Sequence, residues 1–447
     1  MKKVLSFSLF ILISLALFSQ ETEKKAETKT GWNFGLLPAI SFNTDLGFQY
    51  GGLINFFNYG DGTQYPDYIH NIYFEASRYT KGSAILRLAY DSKYLIPGVR
   101  ITSDLAYLPD KAFDFYGFNG FETKFNKNWI DDSNTDGTYK TRMFYAMQNK
   151  MFRFKTDFQF PIVGEKLLVL AGFNLQNFKI RNVDIAKFNK GREEGDPKML
   201  PDTLTLYDEY VDWNILSEKE KNGGFVPLLK AGIVFDTRDN EPNPMKGMWT
   251  ELFIFGAPAF LGAESGFVKL NITHRQYFTI IKRDLSFAYR LSYQGKLAGE
   301  VPFYYQPEIE TSLMKDQLGL GGSKTIRGIR RNRVIGDGVV YGNLELRWKP
   351  VHFNLINQKF YLGLNGFFDF GQTVQKVDVK SKLSDAVLNQ YGADYFDFDG
   401  GEKMHMSYGA GLRIAMNQNF VITVDYGRAI KEQDGDTGLY IGLNYLF

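Results

Sequence analysis

The residues best suited to metal or general-base chemistry are four histidines, His70, His274, His352 and His405, and they are scattered along the chain. A metal cluster needs at least three neighbouring ligands, and none of the four lies in the H-E-x-x-H arrangement that sets two imidazoles on one helix face. The sequence has no cysteine, which removes thiol nucleophiles, thiolate metal sites and disulfides. No G-x-S-x-G elbow presents a serine, although spacing alone leaves open a Ser/His pair drawn from distant strands. The acids Asp394, Asp397, Asp399 and Glu402 surround Gly400. Set against a calcium loop, they put Tyr395 where the first aspartate belongs and Met406 where the bidentate glutamate belongs. They read as a solvated acidic loop. The glycine run before Lys324 lacks the spacing and following helix of a phosphate-binding loop. The expectation is therefore no catalytic residue, no metal, no cofactor and no enzyme.

What remains is charge placed on or beside strands. Residues 318–350 open with glycines, pass a cationic patch (Lys324, Arg327, Arg330, Arg331, Arg333) and enter a segment of alternating polarity. Tyr341, Asn343, Glu345 and Arg347 share one face of that segment, and Gly342, Leu344, Leu346 and Trp348 the other, because strand side chains alternate. The same alternation puts Asp369 beside Asn365 on one face of YLGLNGFFDFG. It is clearest at residues 152–160, where Phe152, Phe154, Thr156, Phe158 and Phe160 oppose Arg153, Lys155, Asp157 and Gln159.

Elements of this kind must come from a sheet that is polar on one side and greasy on the other. Composition agrees: 16% aromatic, with 40 Phe, 27 Tyr and 44 Gly beside 14 Pro, favours strands. After the first twenty residues no apolar run is long enough for a membrane helix. A formal charge of +2 gives no bulk support for nucleic-acid binding. Residues 1–20 read as a secretory signal, with Lys2 and Lys3 ahead of an apolar run, and 21–30 as a short periplasmic lead-in. From Trp32 the pattern predicts sixteen strands, starting near 33, 46, 68, 82, 98, 139, 166, 226, 247, 266, 285, 338, 358, 403, 418 and 437. Residues 31–447 are thus predicted to form a 16-stranded antiparallel transmembrane β-barrel, with both termini periplasmic and the charged 181–225 loop external. The last strand is predicted to alternate to its end, with Leu439, Ile441, Leu443, Tyr445 and Phe447 on one face.

Ile326, Arg327, Gly328 and Ile329 resemble the [VI]-R-G-[FY] motif in the sixth extracellular loop of the BamA/TamA superfamily of outer-membrane barrels, which includes the bacterial surface antigens. The last position departs from the usual aromatic. Asp236, Thr237, Arg238, Asp239, Asn240, Pro244 and Gly247 fit the family's D-T-R-D-N-x-x-x-P-x-x-G strand-end motif, where Asp and Asn favour the turn, Pro stops the ladder and Gly permits a positive φ. Tyr445 and Phe447 resemble the C-terminal targeting signal read by the barrel-assembly machinery. The resemblance implies a long loop folded into the lumen, with Arg327 paired to Glu345, Asp369 or both, whereas Arg331 is expected to be a solvated cation. It implies an outer-membrane protein whose partners are membrane lipid, the assembly machinery during biogenesis and client proteins, with no nucleic acid. Assistance to protein insertion or translocation is the implied function. Ten residues cannot encode the POTRA domains that usually precede such barrels, so a passive channel or structural surface antigen stands as the alternative.

Overall fold

The protein is described from a computed structural model that covers residues 28–447 apart from 66, 194, 197, 313–316, 356–357 and 418–419. The predicted signal and most of the lead-in lie outside these residues.

The alternation at 152–160 resolves into an inverted strand. Arg153, Lys155, Asp157 and Gln159 are buried, while Phe152, Phe154 and Phe160 are 49%, 37% and 40% exposed. A soluble sheet buries its apolar face; a barrel in lipid turns it outward and keeps its polar groups around the lumen. Neighbouring strands repeat the arrangement, and ladder pairing around the ring avoids most of the edge cost of an open sheet.

The ring contains seventeen strand segments. They are β1 (Trp32–Pro38), β2 (Ser41–Asn43), β3 (Gly47–Asn58), β4 (His70–Tyr79), β5 (Ala84–Ile96), β6 (Val99–Asp114), β7 (Ala146–Val163), β8 (Leu167–Arg181) and β9 (Phe225–Asp236). Then follow β10 (Gly247–Ala257), β11 (Phe267–Ile281), β12 (Leu285–Gly299), β13 (Gly338–Leu355), β14 (Gln358–Gln375), β15 (His405–Met416), β16 (Phe420–Ala429) and β17 (Thr437–Leu443). β1 and β2 pair with β3 in one register, Pro38 opposite Gly52 and Ser41 opposite Gln49, and so form a single span. The result is a closed sixteen-span antiparallel barrel. Among the described residues no helix is long and apolar enough to cross a membrane.

Two predicted elements differ. The strand expected from 139 begins at Ala146. Residues 139–145 mimic a period of two, but Phe144 N–H bonds back to Thr141 O and Ala146 N–H to Met143 O, making turns that drive Phe144 and Tyr145 into an aromatic cluster. The 181–225 loop is not simply solvated: its helix Leu206–Asp212, fixed by a Thr205/Asp208 capping box, buries Leu206, Tyr207 and Tyr210. Tyr210 packs edge-on against Phe115, and Trp213 against Tyr395, so three external loops cap that end of the barrel as an apolar dome. By contrast Asp394, Asp397 and Asp399 are exposed, whereas Glu402, expected to be solvated with them, has its side chain buried and accepts from Phe121 and Thr373 N–H.

Candidate functional site

The 300–337 loop descends from the dome into the lumen, and Arg327 anchors it. Its Nε and Nη2 donate to Asp369 at 2.8 and 2.9 Å, its backbone N–H to the same carboxylate at 3.0 Å, and Nη1 lies 2.8 Å from Glu345. The guanidinium also sits 3.5 Å from the Phe367 ring centroid. Glu345 on β13 and Asp369 on β14 point inward because both occupy the polar phase of their strands. A third acid, Asp425 on β16, lies 3.4 Å away. Sequence reading passed over it, although its alternation in VITVDYG already places it inward. Ile326 and Ile329 are buried in a small cluster with Leu320, Val334 and Tyr341, so the aliphatic residue at the motif's end fills its pocket. Gly328 has φ 92°, where a side chain is strained, and its N–H donates to the Tyr440 hydroxyl on β17 at 3.0 Å.

The other arginines of the cationic patch are also engaged. Arg331, expected in solvent, reaches Asp110 and Asp114 on β6 at 2.9 and 2.6 Å, because the loop crosses the lumen instead of looping outside it. Arg333 donates to the carbonyls of Gly120, Thr123 and Gln433, tying the plug to the dome. Arg330 lies over the Phe125 ring.

On the opposite wall the loop is held by its backbone. The Lys155 and Lys230 ammonium groups donate to Thr311 O, Asn271 to Glu310 O, and Gln294 to Glu308 O, while Glu251 accepts from Ser312 N–H. These side chains come from β7 to β12. The plug is therefore anchored on both sides, and below it lies a polar cavity of about 590 Å³ that reaches Ser312 above and Asn444 beside it.

Residues 236–247 form a folded turn beneath that cavity. Asp236 takes Arg238 in two bonds of 2.9 and 2.7 Å, Asp239 accepts from Met245 and Lys246 N–H, and Asn240 accepts from Asn243 N–H. Thr237 pairs with Met248 through N–H to O at 2.8 Å, and Pro244 is buried. Gly247 has φ 97°, and a Cβ there would lie 2.1 Å from Thr237 O. Asn243 extends across to the Tyr361 hydroxyl at 3.0 Å and receives Lys349 at 3.1 Å. The turn thus ties β9–β10 to β13–β14 across the mouth.

The barrel closes on a thin seam. β17 meets β2 in only two residue pairs, Tyr440 with Asn43 and Ile441 with Phe42. β1 is in register with β3 alone, and Trp32, Phe34 and Leu36 are 58%, 73% and 67% exposed. Here the sequence expectation is corrected: the last strand ends at Leu443. Asn444 turns the chain at φ 66°, and Tyr445 and Phe447 are buried in the lumen, where aromatic and cationic partners outcompete an extended edge.

A family model for the Omp85 superfamily domain matches residues 107–445. The chain belongs to the Omp85 superfamily. Omp85 barrels are outer-membrane proteins, typically transporters or insertases. Among solved structures, BamA from Haemophilus ducreyi lacking POTRA domains 1–3 aligns with a TM-score of 0.55 at 15% identity, over 93% of this chain and 71% of that one. CdiB from Escherichia coli aligns with a TM-score of 0.55 at 10% identity, over 94% of this chain and 64% of that one. This Omp85 chain thus spans under two thirds of the CdiB chain, and at these identities the likeness is one of fold. No curated protein sequence matches it.

Proposed function

We propose that this Omp85 barrel works in the bacterial outer membrane by assisting other outer-membrane proteins into or across the bilayer through its lateral seam. The observation that carries the reading is the two-pair junction between β17 and β2 beside the free edge of β1. An unpaired backbone group in hydrocarbon costs several kcal/mol, so such an edge favours an added strand. The spans beside the seam are short, 7 residues in β17 and 10 in β16, against 18 in β13 and β14 on the adjoining wall. A shorter span brings the two lipid faces closer and eases entry of a new strand. The plug, held on both walls, supports a lateral route over a lumenal one.

Reconstitution tests this. Liposomes carrying the protein should accelerate folding of an unfolded small barrel into protease-resistant form, and planar bilayers should show little steady conductance. Steady conductance without faster folding would favour the alternative of a passive channel, which the polar cavity beneath the plug supports. Neither activity would leave the structural surface antigen.

A further inference from the structure

We infer that Trp129, Phe144, Tyr395 and Glu209 form a site in the dome for a small quaternary ammonium ion of the choline kind, occupied in cis by the side chain of Lys140. The Lys140 Nζ lies 4.4 Å from the Trp129 ring centroid, 4.4 Å from that of Phe144 and 4.8 Å from that of Tyr395. Its charge faces Glu209 at 3.5 Å, and it donates to the Tyr395 hydroxyl. Three rings around one cation, each within about 6 Å, is the arrangement by which aromatic cages hold quaternary ammonium groups.

The box stands without the lysine. Trp129 closes a short turn that the Asn126 side chain caps, Phe144 closes another by donating its N–H to Thr141 O, Glu209 lies on the helix Leu206–Asp212, and Tyr395 ends the helix Asp385–Tyr395. Ring contacts join the three loops: Trp129 lies 5.1 Å from Phe144 and 4.7 Å from Tyr395, and Trp213 packs edge-on against Tyr395 at 4.8 Å. The Tyr395 hydroxyl donates to Glu209 at 2.9 Å, so the carboxylate keeps a partner when the ammonium leaves.

Lys140 is an imperfect occupant. Its ammonium carries three donors and is strongly hydrated in water, whereas the box offers it two oxygens and three carbon faces. Burial lowers its pKa against the opposing pull of Glu209 and Asp394. A quaternary ammonium has no N–H to leave unsatisfied and keeps the attraction of the rings and of both acids. The three rings are buried, but the Lys140 side chain is 28% exposed, so it can swing into solvent and uncover them. The site lies in the dome, away from the seam, and its binding is independent of any client.

Equilibrium dialysis of choline against the folded protein in a maltoside detergent tests the site, with heat modifiability checking the fold of each variant. Lys140→Ala should bind choline about ten-fold or more tighter than the unchanged chain, because an internal occupant lowers apparent affinity by the fraction of sites left open. The neutral carbon isostere of choline, with a tert-butyl group in place of trimethylammonium, should bind Lys140→Ala several-fold more weakly than choline does. Adding Glu209→Gln should weaken choline and leave the isostere unchanged. No choline binding by a folded Lys140→Ala variant, equal binding of choline and its isostere, or equal choline affinity with and without the lysine would overturn the site.

Discussion

Gly328 of the loop and Gly427 of β16 meet backbone to backbone: a Cβ on Gly328 would lie 2.6 Å from the Gly427 carbonyl carbon, and one on Gly427 would lie 2.8 Å from the Arg327 carbonyl. The approach brings the arginine within reach of three acids, so the lock depends on a residue two strands away from Asp369. Gly427→Ala should therefore push the loop off the wall. Overpacking costs about 1–3 kcal/mol, and the folded band on an unheated gel should convert at a lower temperature. Unchanged conversion would mean that the wall yields without cost.

Arg327→Ala takes the shared guanidinium from three carboxylates, Glu345, Asp369 and Asp425, in a site where Arg327 is 1% exposed. Breaking a dehydrated pair costs roughly 3–5 kcal/mol, an upper bound in a partly wet lumen. Arg331→Ala should also lower the conversion temperature, because Asp110 and Asp114 lose a shared partner. The two sites share no partner, so their effects should nearly add in the double variant. Loop proteolysis and heat modifiability together check this.

Asp45, in the turn between β2 and β3, gives a pH dependence. Burial, and then the nearby Asp114 charge, push its carboxyl up to about 6, against the opposing pull of Arg331 and Lys81. A carboxyl raised in the folded state binds its proton more tightly there, so its contribution is most favourable at low pH and is lost as pH rises from about 4 through 6. Asp45→Asn should raise the melting transition at pH 8 and change it little near pH 4. The reverse order in a pH-resolved melt would contradict this placement of the turn.

The ring was legible because a membrane barrel writes its inside and outside into every second residue, as Phe152 to Phe160 show. The lock was legible as a pairing of Arg327 with acids on polar phases, since strand parity fixes which way Glu345 and Asp369 point. Asp425 carried the same parity but no motif drew attention to it. The dome was hidden: Phe144, Tyr210 and Tyr395 meet only after three loops fold together, and no local period records that. The tail misled because Tyr445 and Phe447 keep perfect strand alternation, and only the cage of Arg347, Arg413 and Tyr361 draws them inward.

Sixteen spans return the chain to its starting side, so residues 28–31 and the 236–247 turn share one side and the dome lies on the other; the expectation is that the turn side is periplasmic. Tags within 181–225 or 376–404 should react with impermeant reagents on intact cells, and a tag near residue 30 should not. Protected dome tags with a reactive tag near residue 30 would invert the map.

The most direct measurement of the central claim locks the seam. Phe42→Cys with Ile441→Cys joins the pair that closes β2 on β17, and the protein carries no other cysteine to interfere. In liposomes the oxidised barrel should lose its acceleration of client folding and recover it on reduction, with heat modifiability showing an intact fold throughout. A locked barrel that assists folding as well as the reduced one would contradict a lateral route.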